Sequence, residues 1–259
     1  MRSRKLYLVL IAILLVFFVV IFLIFGVGNF MKRNHQATII VGDATVWKYE
    51  NQKWYSISNT ESLQKLDWKK YEVFVDNKRL GDYYLWKDDQ WYLFDSNKNG
   101  VNYTGKLIAY EANYDLNITP FEEDDNMDQN LISSILVERN ISPDQNLTSE
   151  AHVAFDFDSD GVLEDFYLIT NAFDMDNEVD VNFSIVYMVK NNETSVLYDS
   201  VHSGSNYNAC KPFFNSFLDV DQDKTYELLL SCGRYSVEDQ LDMLYQYVDG
   251  NFKIVISNQ

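Results

Sequence analysis

Two acidic segments of the sequence share a pattern of side chains that is typical of a metal site. In each, three aspartates occupy alternate positions, and a glutamate follows four residues after the last aspartate. The first acidic loop contains Asp156, Asp158, Asp160 and Glu164, and the second acidic loop contains Asp219, Asp221, Asp223 and Glu227. One such loop is also typical of a solvated turn, because aspartate favours turns. Its repetition at a constant offset of 63 residues (156 to 219) favours a shared role in metal binding.

The ligands in these loops suit Ca²⁺. The alternate aspartates direct carboxylates to one point, and the carbonyl at the seventh position (Val162 or Thr225) and the glutamate at the ninth can complete the shell. Ca²⁺ takes roughly six to eight oxygens at about 2.3–2.6 Å, whereas a cage of protein oxygens suits Mg²⁺ poorly. Neither loop contains His or Cys, which argues against Zn²⁺ and Cu²⁺. We therefore predict two Ca²⁺ sites with a mainly structural role.

The sixth position distinguishes the two loops. Gly161 in the first loop permits a sharp turn. Lys224 replaces it in the second loop, where it adds a positive charge and removes the flexible residue. The sequence thus predicts that the first site is the more secure of the two.

The residues around the loops exclude an EF-hand and indicate a different family. An EF-hand needs a bidentate glutamate at its twelfth position, but that position holds Tyr167 or Leu230. The loops instead resemble the calcium loops of FG-GAP repeats, which build integrin α-type β-propellers, although Glu replaces the final Asp in both. The resemblance covers residues 149–259 and implies a calcium-binding, propeller-like fold with a role in binding or adhesion. The ligands that it implies are Asp156, Asp158, Asp160, Val162 and Glu164, then Asp219, Asp221, Asp223, Thr225 and Glu227.

The segments after each acidic loop predict β-structure. Each loop is followed by an apolar strand and then by an aromatic hairpin, so residues 149–259 should form two units of about four antiparallel strands. Two units cannot close a propeller ring, which takes about four to eight blades. Either the first half of the chain adds degenerate blades, or the two units form a partial propeller or a sandwich.

The first half differs in composition and predicts a separate domain. All five Trp precede residue 92, and both Cys follow residue 200. We predict a Trp-rich β domain over residues 44–116 and a linker over residues 117–148, with a helix at Asp125–Glu138. Trp47-Lys48 with Trp54-Tyr55 resembles Trp86-Lys87 with Trp91-Tyr92, and each set predicts a strand, a turn and a strand. Trp47, Trp54, Trp86 and Trp91 are either core residues, as is usual for hairpin aromatics, or a platform for stacking sugars.

The amino-terminal segment predicts a membrane anchor. Residues 1–34 contain five basic and no acidic side chains, and the 22 residues of Leu6–Val27 carry no charge. That length is enough to cross a bilayer core of about 30 Å, and it exceeds the apolar run of a cleaved signal peptide. We therefore expect a cytoplasmic tail (residues 1–5), a transmembrane signal-anchor (residues 6–27) in contact with the lipid bilayer, and a tether (residues 28–43). The expected fold class is mainly β, with this helix followed by an antiparallel β ectodomain at the cell surface.

The two cysteines, Cys210 and Cys232, flank the second acidic loop. They can form a cross-strand disulfide if their Cα atoms lie within about 7 Å. Two buried free thiols are the alternative. Two Cys are too few for a small disulfide-rich scaffold.

Composition and motifs narrow the function. The 39 acidic against 21 basic residues argue against nucleic-acid binding. Asp95-x-Asn97-x-Asn99 begins like a calcium loop, but a plain turn is the simpler interpretation. We find no Gly-x-Ser-x-Gly, His-Glu-x-x-His or phosphate-binding motif. We expect a binding or adhesion module for an extracytoplasmic protein or glycan and not an enzyme; the alternative is an envelope-tethered hydrolase of carbohydrate or cell-wall material.

Overall fold

The fold is mainly antiparallel β-structure. The computed structural model describes residues 36–258, apart from residues 43–44, 58–65, 67, 88–90, 102, 104, 113, 115, 125–126, 173–180, 204–209 and 234–239. The described residues form sixteen strands and one helix, arranged as three sheets.

The N-terminal sheet has seven strands in the order β3-β2-β1-β7-β4-β5-β6. Its strands are β1 (Gln36–Val41), β2 (Thr45–Glu50), β3 (Lys53–Ser56), β4 (Lys70–Val75), β5 (Lys78–Lys87), β6 (Trp91–Phe94) and β7 (Leu107–Glu111). Strand β1 lies within the segment that was predicted as a tether. Its residues 37–41 are all buried between β2 and β7, so this part of the segment belongs to the sheet. The two Trp-containing hairpins are confirmed as β2–β3 and β5–β6, at opposite edges of this sheet.

The carboxyl-terminal half forms the two predicted units of four consecutive antiparallel strands. The outer sheet contains β9 (Ser149–Phe155), β10 (Glu164–Thr170), β11 (Val181–Lys190) and β12 (Glu193–Ser203). The middle sheet contains β13 (Lys211–Asp219), β14 (Glu227–Gly233), β15 (Leu241–Val248) and β16 (Asn251–Ser257), and β8 (Asn117–Thr119) pairs with β13 at its edge. The predicted linker therefore contributes a strand to the middle sheet.

The three sheets are stacked, with the middle sheet buried on both faces. On β14, Leu228 and Leu230 pack against the outer sheet, whereas Leu229 packs against the N-terminal sheet. Successive side chains of a strand point to opposite faces, so a strand in a central layer is apolar at every position. Each fully buried Leu contributes about 1.5–3 kcal/mol relative to an exposed one. The continuous apolar run of β14 is thus explained by its place between two cores.

The single helix in the described residues, α1 (Gln129–Glu138), covers the free face of the outer sheet. Ile132, Ile135 and Leu136 are its buried residues, and they pack in one cluster with residues of β10 and β11. The helix begins four residues later than predicted, because the Asp128 side chain caps it by accepting from the N–H groups of Asn130 and Leu131.

The structure contradicts the prediction of a transmembrane helix. Residues 6–27 lie outside the described residues, and no helix among those described is long and apolar enough to cross a membrane. The ten residues of α1 span about 15 Å, half of the bilayer core. The described residues therefore form a mainly β fold with one short helix. The anchored, cell-surface and extracytoplasmic localisation depended on the transmembrane helix, and we no longer hold it.

The predicted disulfide is confirmed. Cys210 and Cys232 are bonded, and their Cα atoms are 5.5 Å apart, which is a usual separation for a disulfide. Cys232 lies on β14 opposite Pro212, so the bond joins β14 to the residue that precedes β13. Both cysteines lie in the core between the middle and outer sheets.

Candidate functional site

The two acidic loops are equivalent connections in two different sheets. The first joins β9 to β10 and the second joins β13 to β14, so each links the first two strands of its unit. In each loop the ninth-position glutamate accepts from the N–H at the second position. Glu164 accepts from Phe157 at 3.4 Å, and Glu227 accepts from Val220 at 3.0 Å.

The backbone also has the same conformation in both loops. At the fourth position Ser159 has φ 57° and Gln222 has φ 62°, and at the sixth position Gly161 has φ 88° and Lys224 has φ 72°. Lys224 therefore adopts the left-handed conformation that the glycine adopts, at some cost in strain. The loss of glycine does not change the geometry of the second loop, although the sequence suggested a weaker site there.

Carboxylates converge in both loops, but not all of the predicted ligands do. One oxygen from each of Asp156, Asp158 and Glu164 lies within 4.8 Å of the others, and the same holds for Asp219, Asp221 and Asp223. The predicted ligands outside these groups are Asp160 and Glu227, with Val162 and Thr225. The N–H groups of Val162 and Thr225 donate to the carboxylates of Asp160 and Asp223, which shapes each turn.

The first loop already contains a cation, the ammonium group of Lys190. Its Nζ lies 2.5 Å from Asp158 Oδ2, 2.8 Å from Glu164 Oε1 and 3.7 Å from Asp160 Oδ2. Burial opposes the charge, but the hydrogen bonds to Asp158 and Glu164 outweigh it and raise the pKa of Lys190. A positive charge thus sits among the carboxylates where a metal ion would bind.

The second loop has glutamine at the corresponding place. The register of β10 with β11 places Glu164 next to Lys190, and the register of β14 with β15 places Glu227 next to Gln246. Gln246 Nε2 donates to Glu227 Oε1 at 3.2 Å. Among the described residues, no Lys, Arg or His side chain forms an ion pair with the four carboxylates of the second loop. Sequence analysis missed both residues; the signal was their position on the neighbouring strand.

Burial, with repulsion between the carboxylates, raises the pKa values of three acidic groups in the second loop. Burial, with a further contribution from Asp221, raises the pKa of Glu227 to about 8. Burial and the adjacent Asp223 raise the pKa of Asp221 to about 6, and burial also raises the pKa of Asp219. A divalent cation would favour the charged forms of these groups. The second loop therefore lacks the positive partner that the first loop has, and the order of the two sites predicted from the sequence stays a prediction.

A second candidate site is an aromatic pocket on the N-terminal sheet. Its aromatic lining is Trp68, Tyr84, Trp86 and Phe94, with Asp95, Ser96 and Lys98 at the rim. Of the four tryptophans proposed as a sugar platform, Trp47 is buried, Trp54 is half-buried and Trp86 lines this pocket; the side chain of Trp91 lies outside the described residues.

The contacts of Asp95 support the interpretation of its calcium-like sequence as a plain turn. The Asp95 carboxylate accepts from the N–H groups of Asn97 and Asn99, each at 2.8 Å. Its oxygens therefore hold the turn that borders the aromatic pocket.

Comparison with known proteins does not extend this description. The chain matches no described protein family, no characterised protein and no solved structure. The resemblance to FG-GAP repeats rests on the loop residues alone and stays a prediction.

Proposed function

We propose that this protein is a β-rich binding module stabilised by a divalent cation, Ca²⁺ being the ion we expect, held by the second acidic loop. The observation that carries the proposal is the contrast between the two loops. In the first loop Lys190 forms ion pairs with the carboxylates, whereas the second has Gln246 at that place and no positive partner among the described residues.

The energetics of the second loop favour a bound cation. Two charged carboxylates within 4.8 Å repel each other by roughly 3 kcal/mol at an effective dielectric constant of about 20. The loop can relieve this repulsion by binding protons, as the raised pKa values indicate, or by binding a cation. Since oxygen ligands without nitrogen or sulfur suit hard cations, Ca²⁺ fits the ligands present.

A cation at this place would stiffen the joint between the middle and N-terminal sheets. The hydroxyl of Tyr114 donates to the carbonyl of Val220 within the loop, and Val220 itself is buried in the core shared by the two sheets. Tyr49 on β2 also faces the loop, since burial and the charge of Asp221 raise its pKa to about 12. The proposed role of the ion is therefore structural, and the binding role falls to another surface, the aromatic pocket.

Calcium titration of the full-length protein by calorimetry tests the metal site. We expect one saturable equivalent after treatment with chelator. Binding should weaken by at least about tenfold in Asp221→Asn and be lost in Gln246→Lys, which places an ammonium group where Lys190 lies in the first loop. Asp249→Asn is the matched control, because that side chain is 86% exposed beyond the end of β15.

The titration has two results that contradict the proposal. One is wild-type protein that takes up no Ca²⁺ at millimolar concentration, and the other is binding unchanged in both Asp221→Asn and Gln246→Lys. With Ca²⁺ at ten times Kd, stability should rise by about 1.4 kcal/mol, which corresponds to an increase in Tm of about 4 °C for a chain of this size.

A further inference from the structure

The aromatic pocket has the size and shape of a ligand site. It is an open pocket along β5 and β6, at the edge of the N-terminal sheet, with a volume of about 580 Å³. Pockets for small ligands are concave and largely apolar, with volumes of roughly 300–1,000 Å³ and a few polar groups that orient the ligand. Ser96 and Lys98 supply such groups at the rim.

Two indole rings of the pocket are exposed to solvent. Trp68 is 65% exposed and Trp86 is 40% exposed, whereas Trp47 in the β2–β3 hairpin is fully buried. Exposed tryptophan gains none of the stability that burial provides. The β5–β6 hairpin therefore presents part of a large apolar ring to solvent.

The backbone at Trp68 is held in a costly conformation. Its φ of 62° lies in the left-handed region, which costs a bulky residue about 1–3 kcal/mol. Hydrogen bonds impose it, because Trp68 N donates to Leu85 O at 2.7 Å and Leu85 N donates to Lys69 O at 3.2 Å. These hydrogen bonds hold the backbone in this conformation, and the Trp68 side chain lines the pocket.

Two other aromatic rings of the lining are also held in place. The rings of Trp86 and Phe94 lie 5.8 Å apart, and Phe94 pairs with Gly100 through an isolated β-bridge. The turn between them is closed by the Asp95 carboxylate. A ligand would meet ordered aromatic groups, so little conformational entropy would be lost on binding.

The charges around the pocket indicate a neutral ligand. The net charge of −18 repels anions. Asp95 and Lys98 carry opposite charges in the lining and offset each other, so the pocket itself favours neither an anion nor a cation. A sugar ring fits these conditions, since its apolar C–H face stacks on indole and its hydroxyls bond to polar groups such as Ser96 and Lys98.

We infer that the aromatic pocket binds a neutral saccharide, stacked on Trp68 and Trp86. The inference rests on the proposed binding role, but it does not depend on the cation at the second acidic loop. The pocket is a different surface from the metal site at the second acidic loop.

Saccharide titrations of the full-length protein test the inference. The probes are cellotetraose, maltotetraose and the trimer of N-acetylglucosamine, with choline chloride as the cationic control, and binding is followed by tryptophan fluorescence and calorimetry. We expect at least one probe to bind saturably, with Kd raised about tenfold or more in Trp68→Ala and in Trp86→Ala. Lys98→Ala should raise Kd less. Tyr55→Ala is the matched control, because Tyr55 is a 47% exposed aromatic residue on β3, at the opposite edge of the sheet, and its removal should leave Kd unchanged.

Three results would overturn the inference: no saccharide binds, a saccharide binds equally well in both Trp variants, or only choline chloride binds, which would make the pocket a cation site. Calcium titration of the same samples separates this test from that of the proposed metal site. Unchanged Ca²⁺ binding in Trp68→Ala would also show that the variant is folded, so a loss of saccharide binding there would belong to the pocket.

Discussion

Removal of the Lys190 ammonium group should convert the first acidic loop into a calcium-dependent structure. Lys190 is 17% exposed and lies against Glu164, which is 1% exposed. Breaking a buried ion pair by removing one partner costs about 3–5 kcal/mol. Since Asp158 and the rim of the loop are partly solvated, we expect Lys190→Gln to lose about 3 kcal/mol of unfolding free energy in chelator. The loop would then hold the same uncompensated carboxylates as the second loop.

Calcium should restore most of this loss in the variant. At one hundred times Kd, a bound ion adds about 2.7 kcal/mol to the folded state. Urea unfolding of wild type and Lys190→Gln, each with chelator and with excess Ca²⁺, measures the effect. The gain from Ca²⁺ should be about 2–3 kcal/mol larger in the variant than in wild type.

A surface lysine provides the control for this comparison. Lys253 is 55% exposed and pairs with Asp249 at 3.5 Å, so Lys253→Gln should change stability by less than about 1 kcal/mol. If Lys190→Gln were no more harmful than Lys253→Gln, or if Ca²⁺ stabilised it no more than wild type, the view that Lys190 stands in for a metal ion would be refuted.

Three further predictions concern parts of the fold away from the acidic loops. Both ring nitrogens of His152 bond to carboxylates, Asp124 at 2.7 Å and Asp165 at 2.9 Å; burial opposes the charge, but these bonds raise the pKa of His152. Its contribution to stability should be complete below about pH 6.5, the unfolded pKa, and should fall as pH rises through the folded pKa; melting of His152→Gln should lack this decline. Reduction of the disulfide, which closes a loop of 22 residues, should cost about 3 kcal/mol in urea unfolding, and no change on reduction would contradict the bond. The buried Asp242 accepts from Thr45 at 2.6 Å and so joins β15 to β2; Asp242→Ala should cost about 2–3 kcal/mol by leaving its donors unpaired, and a loss below about 1 kcal/mol would argue against this link.

The sequence determined the features that depend on neighbouring residues. Each acidic loop is a local turn, formed by bonds such as Gly161 N to Asp156 Oδ2 at 3.0 Å, so its pattern is readable from a few consecutive residues. Alternating and continuous apolar runs predicted the two four-stranded units, because side-chain direction in a strand repeats every two residues. The transmembrane helix was predicted on a different basis, the length of an apolar run. Its inclusion in the fold class was wrong.

Only the tertiary structure decided which loop lacks a counter-ion. Lys190 follows Glu164 by 26 residues, whereas Gln246 follows Glu227 by 19 residues. An alignment of the two units at a constant offset therefore never places these residues opposite each other, and only the strand registers reveal that they correspond. The exposure of Trp68 likewise depends on the left-handed backbone set by its bond to Leu85. Both features arise from contacts between strands, which the spacing of residues along the chain does not specify.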